Sequence, residues 1–402
     1  MIPTNNADSM MPKILAPVRD RATFTAAANA GADAVYMGIG ELNMRLHHRG
    51  IDLNQLPSIV TSAHDRGMEV YVVLNVIVYD HEVSRIDEIV REIKSAGADA
   101  IICWDFAVIS ACKKHAIPFH VSTQASISNS SAAKFYENLG AKCLVLAREC
   151  TLEQIKEIKH NTSCTIEVFC HGAMCVSVSG RCFMSQFLNC TSANRGECAQ
   201  PCRREYHITD KHTGAKLDIG DGYVMSPKDL CTLNILDQVV ATGVDVLKIE
   251  GRARSPEYIA TVTKVYKQAL LAVEQKAFTD ECKKDLMKEL EKVYNRGFST
   301  GFFLGRPAED GWAHSANSVA TEKKEFAGFV SNYFKKIHVA EITLKAGKLV
   351  DGNSVYIQGK KTGVERIEIN GIRYHPDSTI TFPCSLRIKS GDEVYRIVPN
   401  KS

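Results

Sequence analysis

The chain has 402 residues, 45% of them hydrophobic and 24% charged, with a formal net charge of +3. This length and apolar content can bury a large core, about two domains' worth, and the near-balanced charge neither demands nor excludes a nucleic-acid partner. No apolar run approaches the roughly 20 residues of a bilayer span, and the polar stretch 1–11 lacks the basic and apolar regions of a signal peptide. The expectation is therefore a cytoplasmic protein with no membrane contact.

Residues 1–12 are read as a flexible N-terminus, and the first strand is expected at 13–18. A local pattern then recurs: Ala30-Gly31-Ala32-Asp33-Ala34-Val35-Tyr36 is echoed around Gly97, Gly140 and Gly243. Each copy reads as a helix end, a glycine in the left-handed position after it, and a short buried strand. Parallel strands covered on both faces read as continuous Val/Ile/Leu runs rather than as alternation. On that basis strands are expected at 34–37, 69–74, 100–103, 119–121, 143–146, 164–169 and 246–249. Helices are expected between them, most clearly at 54–66, 83–96, 130–139 and 152–159.

About eight β/α units in roughly 260 residues make an α/β fold, a TIM-like (β/α)8 barrel, over 13–300. A doubly wound open sheet is the alternative, although no G-x-G-x-x-G follows the first strand. A cysteine-rich insertion, 170–224, interrupts the barrel, and a Gly/Pro-marked linker occupies 301–324. From 325 to 402 short strands and turn signals at Asp351-Gly352 and Ser390-Gly391 predict a small C-terminal all-β domain, a barrel or sandwich.

In a barrel, residues just after the strands share one face. Those residues here are Tyr36, Asn75, Asp105, Ser122-Thr123-Gln124, Arg148-Glu149, His171-Gly172 and Lys248-Ile249-Glu250-Gly251-Arg252. Arg148, Lys248 and Arg252 offer cations for an anionic substrate, and Glu149, His171 and Glu250 are candidate acid–base groups. Glu167, inside a strand, would be costly without a partner, so Lys248 or Arg148 is expected beside it.

Of the 14 cysteines, eight lie between Cys164 and Cys231. Disulfides suit a reducing cytosol poorly. Cys103, Cys112, Cys143, Cys164 and Cys170 sit in apolar runs and read as buried small hydrophobes. Cys175, Cys182, Cys198 and Cys231 have polar or turn-forming neighbours and read as ligands. The spacings C-x6-C and C-x3-C include no C-x2-C pair, so an iron–sulfur cluster and zinc both stay open.

The run Glu167-Val-Phe-Cys-His171-Gly-Ala-Met-Cys175-Val-Ser-Val-Ser179-Gly-Arg-Cys182 resembles the defining motif of peptidase family U32. Leu15-Ala-Pro17, Ser122-Thr-Gln124, Leu146-Ala-Arg148-Glu149, Ser226-Pro-Lys-Asp229-Leu-Cys231 and Lys248-Ile-Glu-Gly-Arg252 extend the likeness along most of the chain. The resemblance implies a TIM-like barrel and a [4Fe–4S] cluster held by Cys175, Cys182, Cys198 and Cys231, with Cys202 as rival for the third place and zinc as the lesser alternative. One barrel with one β domain, and the Asn194-Arg-Gly-x-Cys198 stretch, looks most similar to the tRNA uridine hydroxylation members. Val176-Ser-Val178 and Arg203-Arg-Glu-Tyr206 depart from that branch.

The leading functional expectation is prephenate-dependent hydroxylation of a tRNA anticodon uridine. Arg148, Lys248 and Arg252 would clamp the carboxylates of a prephenate-like co-substrate, and Arg195, Arg203, Arg204, Lys211, Lys335 and Lys336 would meet phosphates of tRNA or another RNA. The alternatives are a collagenase-like peptidase using His171 and Glu149, and an O2-independent hydroxylase of a small aromatic or quinone precursor. Subunit pairing is left open, a homodimer included.

Overall fold

The computed structural model describes residues 11–40, 43, 51–217, 223, 225–307, 311–315 and 317–400. The polar stretch 1–10, and parts of the expected insertion and linker (218–222, 224, 308–310 and 316), lie outside the described residues. Seven parallel strands come first: β1 (Lys13–Val18), β2 (Ala34–Gly38), β3 (Glu69–Leu74), β4 (Ala100–Cys103), β5 (Phe119–Val121), β6 (Cys143–Val145) and β7 (Thr165–Gly172). The chain then leaves the barrel for a hairpin, β8 (Ile208–Thr209) and β9 (Lys216–Leu217), and for β10 (Asp229–Cys231), which pairs antiparallel with the end of β7. β11 (Val246–Ile249) is the eighth barrel strand. It pairs in parallel with both β7 and β1 and closes the cylinder. A short β12 (Phe298–Ser299) extends the sheet beside β10.

The repeat seen in the sequence has the expected physical basis. Gly31, Gly97, Gly140 and Gly243 all hold positive φ, between 82° and 103°, at the turn from helix to strand. The strands they introduce are almost wholly buried. Helices α1 (Arg21–Asn29), α2 (Leu56–His64), α3 (Val83–Ser95), α4 (Phe106–Lys114), α5 (Ser130–Leu139) and α6 (Leu152–His160) wrap the outside. The insertion carries α7 (Met184–Asn189), and α8 (Leu236–Ala241) precedes β11. After β11 the helical region splits into α9 (Pro256–Glu274) and α10 (Asp280–Lys292), with Thr279 capping the second by accepting from the Cys282 amide.

Two apolar layers hold the barrel. One lies between strands and helices; the other fills the barrel with Leu15, Ala34, Tyr36, Tyr71, Val73, Ala100, Ile102 and Val246. Between them they remove most of the chain's large aliphatic side chains from water, the dominant favourable contribution to folding.

The C-terminal unit is a seven-stranded antiparallel sheet of β13 (Glu322–Phe334), β14 (Val339–Leu344), β15 (Ser354–Gly359), β16 (Gly363–Glu368), β17 (Arg373–His375), β18 (Thr379–Pro383) and β19 (Glu393–Pro399). Its order is β16-β15-β19-β13-β14-β18-β17, around a core of its own. It docks on α1 and α9: Thr25 Oγ1 donates to the Lys360 carbonyl at 2.8 Å, and Lys324 and Gln358 both reach Glu257 at the start of α9.

Candidate functional site

The loops after the barrel strands and the cysteine-rich insertion enclose one pocket. Tyr36, Asn75, Ser122, Thr123, Gln124, Arg148, Lys248, Glu250 and Arg252 line it, as their places after the strands predict. Arg203, Arg254 and Arg296 join them from the insertion, from the loop beyond β11 and from the segment after α10. The insertion also contributes Cys175, Cys182, Cys198 and Cys202 to this lining.

The cations are held in place. Arg148 lies 3.8 Å over the Phe169 ring, donates through Nη1 to the Ala173 carbonyl at 2.7 Å, and sits 3.9 Å from the Glu250 carboxylate. Lys248 Nζ is 2.6 Å from Glu167 Oε1 and 4.5 Å from the centre of the Tyr36 ring. The buried carboxylate thus has the partner that its burial required. Arg254 packs 3.5 Å over Tyr294, and Arg296 donates to Asp229 at 3.3 Å. Gly172, with φ +111°, lets β7 pass the Glu250 backbone: a Cβ there would stand 2.3 Å from the Glu250 carbonyl oxygen. Any side chain at this position would push apart the two strand ends that shape the pocket floor.

The thiols divide into two environments. Cys103, Cys112, Cys143, Cys164 and Cys170 are buried, as their apolar contexts predict. Cys175 is exposed, and Cys182, Cys198 and Cys202 are partly exposed. Burial raises the Cys202 thiol, Arg203 lowers it, and Cys175, Cys198 and Cys182 raise it again, so the Cys202 sulfur is within electrostatic reach of the other three. Cys231 stands elsewhere. Its thiol is buried on β10, 3.7 Å from the Tyr266 hydroxyl, and burial pushes it up to about 11.

Two expected acid–base residues do not face the pocket. His171 is buried between Tyr258, Tyr266 and Phe298, at ring distances of 5.5–5.9 Å. Glu149 turns toward the insertion, where its Oε1 accepts the Ser179 amide at 3.1 Å. It anchors the loop that carries Cys175 and Cys182. Asp105 caps α4 by accepting the Ala107 amide at 2.9 Å. Of the expected phosphate contacts, Arg195 is paired with Glu82 at 2.5 Å. Arg203 is turned inward to Ser226 Oγ at 3.0 Å and to the Pro227 and Met174 carbonyls. Arg203, Arg254 and Arg296 were not read from sequence as pocket residues. Arg254 alone had a local signal, two places after Arg252.

A second group of ligand-type side chains lies inside the barrel. His120, Cys143 and Glu167 place one donor atom each within 4.8 Å of one another. The Lys248 ammonium already supplies a positive charge to Glu167 there. Burial, and then Lys248, hold His120 at a pKa of about 3; burial, and then Arg254, do the same for His171. Both are therefore neutral in the fold, while the unfolded chain takes up protons near 6.5. Between those values the unfolded state binds more protons, so stability falls as pH falls from about 6.5 toward 3. Each histidine adds about 1.4 kcal/mol per pH unit to that slope. Urea midpoints between neutral and mildly acid pH are expected to drop steeply, and His120→Gln is expected to make the dependence shallower.

The profile of Peptidase family U32 matches residues 19–313. A protein named collagenase from Porphyromonas gingivalis is 36% identical over 96% of this chain and 97% of its own. A Methanocaldococcus jannaschii protein named as an uncharacterized protease is 35% identical over 96% and 98%. The tRNA hydroxylation protein P1 of Bacillus subtilis is 33% identical over 80% and 78%. The expected placement nearest the tRNA-hydroxylation members is thereby corrected, because the two more identical of these relatives carry protease names. The Val176-Ser-Val178 and Arg203-Arg-Glu-Tyr206 departures noted in the sequence accord with this. With the profile spanning most of the chain and relatives of this identity over nearly its whole length, the chain belongs to peptidase family U32.

Proposed function

We propose that this chain is an iron–sulfur enzyme that hydroxylates RNA, with a tRNA anticodon uridine as the leading substrate and the pocket at the barrel mouth as its site. The observation that carries the reading is the pocket's make-up: four thiols and six guanidinium or ammonium groups in one lining. An all-sulfur donor set is what an iron–sulfur cluster takes, and zinc is the lesser occupant. Cys175, Cys182, Cys198 and Cys202 would hold a [4Fe–4S] cluster, which supplies one-electron or Lewis-acid chemistry when bound.

The rest falls to the chain's own side chains. Arg148, Lys248 and Arg252 bind and orient an anion, and the carboxylates of a prephenate-like co-substrate suit paired guanidinium donors. Glu250, beside Arg148, is the pocket carboxyl placed to take or return a proton. Tyr36 and Phe169 cover the cations with aromatic faces, which keeps water from them and strengthens their pull on an anion. The name of the Bacillus subtilis relative supports RNA hydroxylation.

The second reading is a peptidase, and the names of the Porphyromonas and Methanocaldococcus relatives favour it. Its catalytic groups would then be Glu250 or a pocket thiol, since His171 and Glu149 are turned away. One preparation separates the two. Anaerobically purified protein is assayed for iron and sulfide and against gelatin, and tRNA nucleosides are compared with and without the gene. About four irons per chain, with hydroxyuridine lost on deletion, supports the first reading. A colourless protein that cleaves gelatin, with nucleosides unchanged, replaces it with the second.

A further inference from the structure

Around the pocket thiols the insertion turns large apolar side chains to solvent. Phe187 is 82% exposed, Phe183 63%, Val178 62% and Leu188 55%. A soluble chain normally keeps such a group covered, and a contiguous patch marks a contact surface. This one is continuous with the pocket. Val176, Cys182, Met184 and Ser185 line it, so Phe183 stands on its lip, and Phe187 pairs with Phe183 at a ring distance of 6.2 Å. The lip is also held firmly: Ser179 is tied to Ser126 and Glu149, and the Cys182 amide to Asn194 Oδ1. Arg181, exposed beside the patch, lies over the Trp104 ring at 5.8 Å.

Apolar rings alone would fit a peptide or a base. The charge behind them decides between these. Arg148, Arg203, Lys248, Arg252, Arg254 and Arg296 line the pocket with Glu250 as their carboxylate among the lining residues. Glu250, Glu167 and Asp229 offset the charge of Arg148, Lys248 and Arg296, and the six cations still outnumber these carboxylates, so negative charge together with flat faces suits a ligand that crosses the lip. We infer that the Phe183–Phe187 lip is a stacking platform for the unpaired bases of an RNA loop, flanking the base that enters the pocket. Base stacking on aromatic side chains tolerates sequence, and phosphates meet the cations. The inference rests on the RNA reading and adds the surface that presents the substrate.

The test uses the full chain, anaerobically prepared, and a fluorescent RNA hairpin with an unpaired loop, followed by anisotropy at several salt concentrations. Phe187→Ala is expected to weaken binding about 5- to 150-fold. The salt slope should stay unchanged, because no phosphate contact is lost. Phe187→Trp is expected to keep the affinity, with its indole emission quenched by the hairpin and not by duplex RNA. Phe187 is almost fully exposed, and unchanged iron content and unfolding midpoint confirm an intact variant. Wild-type binding with Phe187→Ala equally tight overturns the platform and leaves the RNA reading standing. Failure of the wild type to bind any hairpin, with a gelatin peptide bound through Phe187 instead, overturns both.

Discussion

Serine in place of Cys202 is expected to strip iron from anaerobically prepared protein, while serine in place of Cys231 leaves the content at the wild-type level. The sequence resemblance carries over Cys231 as the fourth ligand; the geometry favours Cys202. Cys202 shares the pocket wall with Cys175, Cys182 and Cys198. Cys231 is enclosed on β10 among Tyr266, Thr232 and Cys170, beside the end of β7. Bringing its sulfur to the pocket would mean breaking the β10–β7 pairing, in which Cys231 stands opposite His171. A buried strand does not give up its hydrogen bonds without leaving polar groups unmet. Iron is expected to fall from about four per chain to about three or fewer in Cys175→Ser, Cys182→Ser, Cys198→Ser and Cys202→Ser alike, with the visible charge-transfer absorption weakened in step. Retention in Cys202→Ser together with loss in Cys231→Ser would return the fourth place to Cys231.

Much of the barrel was legible because its strands are covered on both faces. Runs such as 69–74 and 246–249 needed no alternation to be found, and the left-handed glycines marked where they begin. β7 was read as ending at 169 but continues to Gly172. The reason is not local: His171 is buried by rings from α9 and β12, more than 80 residues downstream. Its position after an apolar run made it look like a site residue. Arg148 and Glu149 show a second limit. Both lie in a turn beyond β6, closed by the Cys150 amide donating to the Ala147 carbonyl; Arg148 enters the pocket, whereas Glu149 ties down the insertion. Arg296 arrives from beyond α10 and has no neighbour in sequence to announce it. Cys202 was visible as the second half of a C-x3-C pair and was read as a rival to Cys198; its place in the pocket lining beside Cys175, Cys182 and Cys198 had no signal in sequence.

Replacing Lys248 by Met is expected to cost more stability than replacing Glu167 by Gln, although each breaks the same 2.6 Å contact. Glu167 is fully buried, and the groups around it are Lys248, Cys143 and His120. Without Lys248 its carboxylate is a buried charge among neighbours whose charging burial disfavours: the Cys143 thiol is pushed well up, and burial is the larger cause that pushes His120 down. Removing one partner of such a pair typically costs about 3–5 kcal/mol. Lys248 has an escape that Glu167 lacks. Its four-carbon stem reaches the pocket, and its ammonium already faces the Tyr36 ring at 4.5 Å. In Glu167→Gln the cation can turn to solvent in the pocket and stay hydrated, so the loss is smaller, about 1–3 kcal/mol. The pair Glu167→Gln/Lys248→Met removes both charges and is expected to recover stability relative to Lys248→Met alone, as replacing a whole buried ion pair generally does. Urea unfolding of the three variants measures this cycle. Co-substrate binding should order them differently: Glu167→Gln, which frees a positive charge at the pocket floor, is expected to hold a dicarboxylate at least as tightly as the wild type, whereas both variants with Met at 248 lose affinity together. Equal destabilisation by the two single substitutions would mean that Lys248 is as confined as its partner and takes no part in holding an anion.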